Sequence, residues 1–192
     1  MDRGLLGQIA TPAAGNRVVA GREWCADNAV FAGRYPGDAA YLTWLARLRP
    51  HRRSCRFVVA PDVVGDARAT LDRSLPMLQA IRAAGYPVAL AAQNGLEDLY
   101  VPWDAFDCLF LGGDTAWKLG PHAAALTAQA KHHGKWVHMG RVNSWERLRI
   151  ARQFGCDSVD GTYLAFGPDK NLPKLLRWLT EVNNQGLLWE AS

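Results

Sequence analysis

Acidic and amide side chains recur in this chain where short apolar runs stop. Asp27 and Asn28 follow Trp24-Cys25-Ala26, Asp62 follows Ala60-Pro61, and Gln93-Asn94 close Val88–Ala92. Gly112-Gly113-Asp114 end Leu109-Phe110-Leu111. His138, Met139, Gly140, Arg141 and Asn143 lie along the run from Trp136, and Asp157 and Asp160 bracket Ser158-Val159. These residue types suit a flat heterocycle. Asp62 accepts from ring N–H and amino groups, Gln93 both donates and accepts, and the Gly113 N–H reaches a carbonyl. Gly112 and Gly113 lack side chains, so a ring can approach the backbone there. Asp27 and Asp160 remain as two acids from distant positions, the usual equipment for chemistry at an anomeric carbon: one attacks, the other handles protons. Each residue also has a plain structural reading. Asp62 suits a helix cap, Gln93-Asn94-Gly95 and Asp160-Gly161 suit turns, and a histidine inside a strand is more often a satisfied core residue than a catalyst.

The positions imply the elements that carry them. Apolar runs at 5–11, 23–31, 56–64, 87–94, 108–114, 136–142 and 158–164 read as strands. Amphipathic stretches at 38–48, 66–85, 120–134, 144–155 and 171–186 read as helices, with Asp38 and Ser144 as caps and Gly85, Gly134 and Gly155 as stops. Consecutive apolar residues suit parallel strands buried on both faces. Strand–helix alternation gives an α/β chain, either an open doubly wound sheet or a compact TIM-like (β/α) barrel. A barrel usually takes about 250 residues. At 192 residues this one is minimal, or has a degenerate unit, in a single domain over 1–192. In either fold, chemistry gathers at the carboxyl ends of the strands.

Composition narrows the class. Hydrophobic residues make up 49% and charged residues 21%, which excludes disorder. No apolar run reaches the roughly 20 residues of a membrane span, and no signal peptide is readable, which points to a cytoplasmic protein without a membrane partner. Cys25, Cys55, Cys108 and Cys156 are scattered, without metal-ligand spacing, and read as buried thiols. Lys+Arg 22 against Asp+Glu 18 leaves a net charge of +4. Arg47, Arg49, Arg52, Arg53 and Arg56 crowd one stretch, which suits phosphates or, equally, a solvated face. The glycine-rich cradles of nucleotide-binding folds are absent.

The order of these motifs resembles the tRNA-guanine transglycosylase superfamily over about residues 24–164. Asp27-Asn28-Ala29-Val30-Phe31 resembles an Asp-Ser-Gly-Gly-Phe segment, and Ala60-Pro61-Asp62 a strand ending in a base-reading Asp. Gln93-Asn94-Gly95 is similar to a Gln-Gly pair, Leu111-Gly112-Gly113 to a loop over the base, and Met139-Gly140 to a later Met-Gly. Gly155-Cys156-Asp157-Ser158-Val159-Asp160 follows Gly-x-Asp-x-Phe-Asp, whose second Asp is the nucleophile. The family's zinc-binding Cys-x-Cys-x-x-Cys is missing, which favours its zinc-free DNA-modifying branch, known from phages and bacterial genomic islands, over the tRNA enzymes.

The resemblance implies a pentosyltransferase that exchanges guanine in DNA for a 7-deazaguanine such as preQ0. Asp160 would form the glycosyl-enzyme and Asp27 would shuttle protons. Asp62, Gln93, Gly112, Gly113, Asn28 and Met139 would hold the base. The arginine stretch, Arg141 and Lys118 would hold the nucleic-acid backbone. It implies no cofactor and no metal, and relatives are often homodimers; Leu187-Leu188-Trp189 offers an apolar tail for such a contact. Two other readings stay open: a nucleoside or N-glycoside hydrolase or lyase using the same carboxylates, and a non-catalytic nucleic-acid-binding module.

Overall fold

The computed structural model describes residues 6–15 and 17–184. Seven strands form one sheet in the order of the chain. They are β1 (Gln8–Ala10), β2 (Trp24–Ala26), β3 (Cys55–Val59), β4 (Val88–Ala92), β5 (Cys108–Leu111), β6 (Trp136–Met139) and β7 (Ser158–Val159). Every neighbouring pair is parallel. Each strand is added beside the last, and right-handed crossovers keep all the helices on one side. The result is a curled half-barrel of the TIM type, not a doubly wound sheet. Among the described residues β1 and β7 are not paired, so the barrel stays open.

The outer layer comprises α1 (Asp38–Arg47), α2 (Ala67–Ala83), α3 (Thr115–Lys118), α4 (Pro121–His132), α5 (Trp145–Phe154) and α6 (Pro168–Asn184). Local chemistry sets several boundaries. Asp66 Oδ1 accepts from the Ala69 N–H at 2.9 Å to start α2, and Ser144 Oγ accepts from the Arg147 N–H at 3.2 Å to start α5. Gly155, in the left-handed region at φ 90°, ends α5. Asp38 is not the cap of α1. Gly37 holds that place, and Asp38 pairs with Arg73 and Tyr35 instead. The start of α6 falls before the expected 171, and part of its expected end, like Leu187-Leu188-Trp189, lies outside the described residues.

Two apolar clusters follow from strand alternation. Val58, Leu90, Leu109, Leu111, Val137 and Met139 pack outward against helix residues such as Leu71, Leu78, Ile81, Leu126 and Leu148. Cys25, Phe57, Val59, Ala89, Ala91 and Cys108 fill the barrel interior with Phe110 and Trp136. All four cysteines are free thiols. Among the described residues no helix is long and apolar enough to cross a membrane.

Candidate active site at the carboxyl rim

Parallel strands in chain order place Asp27, Asp62, Gln93, Gly112 and Asp160 beyond the ends of β2, β3, β4, β5 and β7. The sequence therefore located the rim correctly. Asp160 is the better defined of the two candidate catalytic acids. Its Oδ2 meets His138 Nε2 at 3.1 Å, and its Oδ1 accepts from the Arg141 N–H at 2.8 Å. His138 Nδ1 lies 2.7 Å from Ser158 Oγ, which already accepts from the Trp136 indole N–H at 2.8 Å. An indole nitrogen only donates. The serine hydroxyl, with its own proton and a second lone pair, can partner Nδ1 whether that nitrogen accepts or donates, and Nε2–H is left to donate to Asp160. The chain Trp136–Ser158–His138–Asp160 fixes the carboxylate.

The two acids carry opposite protonation preferences. Burial pushes Asp160 up, but the hydrogen bond and charge of His138, the Arg141 N–H and the Lys118 charge outweigh it, and its carboxyl lies below the ordinary range. Asp27 is raised: burial dominates, the charges of Asp160 and Asp62 add to it, and the Ala29 N–H, at 2.6 Å from Oδ1, only partly offsets them. Each acid lies within the other's electrostatic reach, as does His138. Carboxyl groups pushed apart in this way take different roles, one as proton donor and one as ionised base or nucleophile.

Backbone strain lies at the two residues whose amides hold these acids. Ala29 (φ 63°) and Arg141 (φ 60°) are the two non-glycine residues with positive φ among the described residues. Each gives its amide N–H to one candidate acid, Ala29 to Asp27 and Arg141 to Asp160. Such conformations cost about 1–3 kcal/mol each and persist where the surroundings impose them.

The proposed base readers are occupied by one another. Asp62 Oδ1 accepts from Asn28 Nδ2 at 2.9 Å and Oδ2 from Gln93 Nε2 at 2.6 Å. Gln93 Oε1 accepts from the Gly65 N–H at 3.0 Å. Asn28 is buried and also spans to the Ala60 carbonyl and the Val30 N–H. Burial raises the Asp62 carboxyl, partly countered by Asn28, its own N–H and Gln93. Asp62 and Gln93 form a preset polar edge facing the rim, and Asn28 braces it.

The glycine pair behaves differently from its expected role. The Gly112 and Gly113 N–H groups both donate to the Ala92 carbonyl, at 2.9 and 3.0 Å. A Cβ at Gly112 would lie 2.8 Å from Gln93 Nε2, and one at Gly113 would strike the Trp117 ring. These glycines admit Gln93 and Trp117, so the space beside them is filled by protein. Met139 is also displaced from its expected role. It follows His138 on the strand, so its side chain points outward and is buried in the helix-side cluster.

The expected backbone-binding cations divide into three groups. Lys118 is 1% exposed and donates to the Gly140 carbonyl at 2.5 Å. Burial and then the Arg141 and Arg147 charges lower it to about 8, against the pull of Asp160. It therefore acts inside the rim and does not meet an external strand. Arg141 reaches across the mouth to the Gly112 and Gly113 carbonyls, and its guanidinium covers the exposed Phe31 ring at 4.3 Å. Arg47, Arg49, Arg52, Arg53 and Arg56 lie at the opposite, amino end of the barrel, where Arg56 pairs with Glu23. Among the described residues no group of three or more His, Cys, Asp or Glu side chains is placed to hold a metal ion.

Three features escaped sequence reasoning: Ser158 as a brace, the short helix α3 that buries Lys118, and the pairing of His138 with Asp160. The spacing of His138 and Asp160 around β6 and β7 carried a signal for the last, because register brings His138 beside Ser158.

No protein-family model matches the sequence, and no curated protein does. Solved structures are similar in fold. The chain is 16% identical to the PaMucR phosphodiesterase in its c-di-GMP complex, covering 74% of this chain and 66% of that one, with a TM-score of 0.46. It is 15% identical to a putative glycerophosphoryl diester phosphodiesterase from Silicibacter pomeroyi DSS-3, covering 74% of this chain and 48% of that one, with a TM-score of 0.43. This chain thus spans less than two thirds of either structure's own length. One is a phosphodiesterase and the other a putative one, neither a transglycosylase, and they overturn the resemblance read from the motif order. The assignments as a pentosyltransferase, to base exchange and to 7-deazaguanine or preQ0 insertion are withdrawn. The physical reason lies in the motifs. Each is two or three residues at a strand end, where any (β/α) chain needs helix caps and tight turns, and Gly113 and Met139 serve packing here.

Proposed function

We propose that the carboxyl rim is the active site of an acid–base hydrolase whose substrate class is the phosphodiester. The observation that carries this reading is the split pair, Asp27 raised and Asp160 lowered, beside the cations Lys118 and Arg141. Asp160, held ionised by His138 and the Arg141 N–H, takes a proton from water. The water oxygen bonds to phosphorus as one ester P–O bond breaks. Asp27 gives its proton to the departing alkoxide oxygen, and an alcohol and a phosphomonoester leave. Arg141 meets the charge that gathers on the phosphoryl oxygens. The ionised Asp160 repels a monoester dianion more than a diester monoanion, which favours the diester. Asp62 and Gln93 offer hydrogen bonds to a substituent of the ester. Four free thiols suit a reducing compartment, and the cytoplasm is the proposed location.

The test uses two substrates, bis(4-nitrophenyl) phosphate and a dinucleotide. Asp160→Asn is expected to slow both by about 10²-fold or more. Asp27→Asn should cost far more on the dinucleotide, because 4-nitrophenoxide leaves without a proton. The rate of the native protein should fall as pH drops through the lowered Asp160 value, and fall again as it rises through the raised Asp27 value. Absence of hydrolysis of either diester, or an undiminished rate in Asp160→Asn, sinks the reading.

A further inference from the structure

The barrel has a second charged region, at the far end from the acids. Helix α1 ends at Arg47, and the 3-10 helix Arg49–Ser54 leads directly into the amino end of β3 at Cys55. Asp62 lies beyond the other end of that strand. Five residues at about 3.3 Å each put roughly 16 Å of sheet between the two regions.

Arg47, Arg49, Arg52 and Arg53, with Ala46 and Pro50, line an open groove of about 560 Å³. A neighbouring groove of about 450 Å³ shares Pro50 and Arg53. All four arginines are exposed, and none has a hydrogen-bond or ion-pair partner among the described residues. A cation at the last turn of α1 is explained by the helix dipole, but that covers Arg47 alone. In a 3-10 helix residues three apart eclipse, so Arg49 and Arg52 stand on one face about 6 Å apart. Arg53 follows beside them.

We infer that this groove is a docking surface for the phosphodiester backbone of a nucleic acid, separate from the carboxyl rim. A cluster of unpaired guanidiniums, two of them one 3-10 turn apart, meets a repeating anion, and the guanidinium fork matches phosphate. A peptide partner would need an anchor pocket for a large side chain. The lining here is arginine with Ala46 and Pro50 on one side, and Ala20, Gly21 and His51 on the other. The surface gives affinity without reading sequence. The inference does not rest on the proposed hydrolase, and its test leaves the acids intact.

The test is fluorescence anisotropy of the full chain with a labelled single-stranded DNA of mixed sequence, across a salt series. Four neutralised phosphates predict a slope of log K against log[salt] of about −3. The quadruple variant R47A/R49A/R52A/R53A changes only exposed side chains. It should bind at least about tenfold more weakly at low salt and keep the native circular dichroism spectrum. The inference is overturned if the native chain fails to bind at low salt, if the quadruple variant binds equally well, or if polyglutamate of matched charge competes as effectively as unlabelled DNA.

Discussion

Replacing each rim acid by its amide should move stability in opposite directions. Asp160 is ionised in the fold and accepts from His138 Nε2 and the Arg141 N–H. Hydrogen bonds to a charged group contribute about 1.5–3 kcal/mol, and Asp160→Asn weakens both while placing an amide N–H₂ where a donor already points. A net loss of about 2–3 kcal/mol follows. For a chain of 192 residues, each kcal/mol moves Tm by about 2–4 °C, so the drop is roughly 4–12 °C. Asp27 is the reverse case, since burial and two neighbouring acids oppose its charge, and Asp27→Asn removes that opposition. The pH dependence has a fixed sign. The lowered Asp160 contributes stability above its unfolded pKa and loses it as pH falls through the folded value. The raised Asp27 favours the fold at low pH and withdraws that contribution as pH rises through its folded value. Urea and thermal unfolding of both variants at pH 7.5 and through the acid range below pH 3.8 test this. Asp160→Asn should be destabilised most at the higher pH, with the gap narrowing at the lower. Asp27→Asn should equal or exceed the native chain at pH 7.5. A neutral Asp160→Asn together with a destabilised Asp27→Asn would refute the electrostatic account of the rim.

Two packing predictions accompany it. Gly113→Ala sets a Cβ into the Trp117 ring, 2.9 Å from Cζ3 and 3.0 Å from Asn94 Oδ1; overpacking of this kind costs about 1–3 kcal/mol, and urea midpoints read it directly, with an unchanged midpoint counting against the packing role. Ile81→Ala empties a fully buried site where α2 meets the sheet and should cost about 2–5 kcal/mol in the same assay.

The sequence was most informative where one rule sufficed. Apolar runs located the strands, and the strand ends located Asp27, Asp62, Gln93 and Asp160 at one rim. It was least informative where direction mattered. Strand alternation lets only one of His138 and Met139 face the interior, and a two-residue motif does not say which. The arginine stretch was legible as charge, but its placement at the amino end depends on which side of β3 it precedes. Lys118 gave no sign of burial, because α3 is one short turn capped by Asp114 inside a stretch that reads as loop. The glycine pair misled because a missing side chain looks the same whether a ligand or Trp117 occupies the space.

The open seam also bears on how the chain assembles. A closed barrel must join its first staves to its last, which brings together segments nearly a whole chain apart. Among the described residues every strand zips onto the one made just before it, and the widest gaps between neighbours, from Ala26 to Cys55 and from Val59 to Val88, are equal. Loop closure is therefore met in short instalments, and low sequence separation between contacts speeds folding.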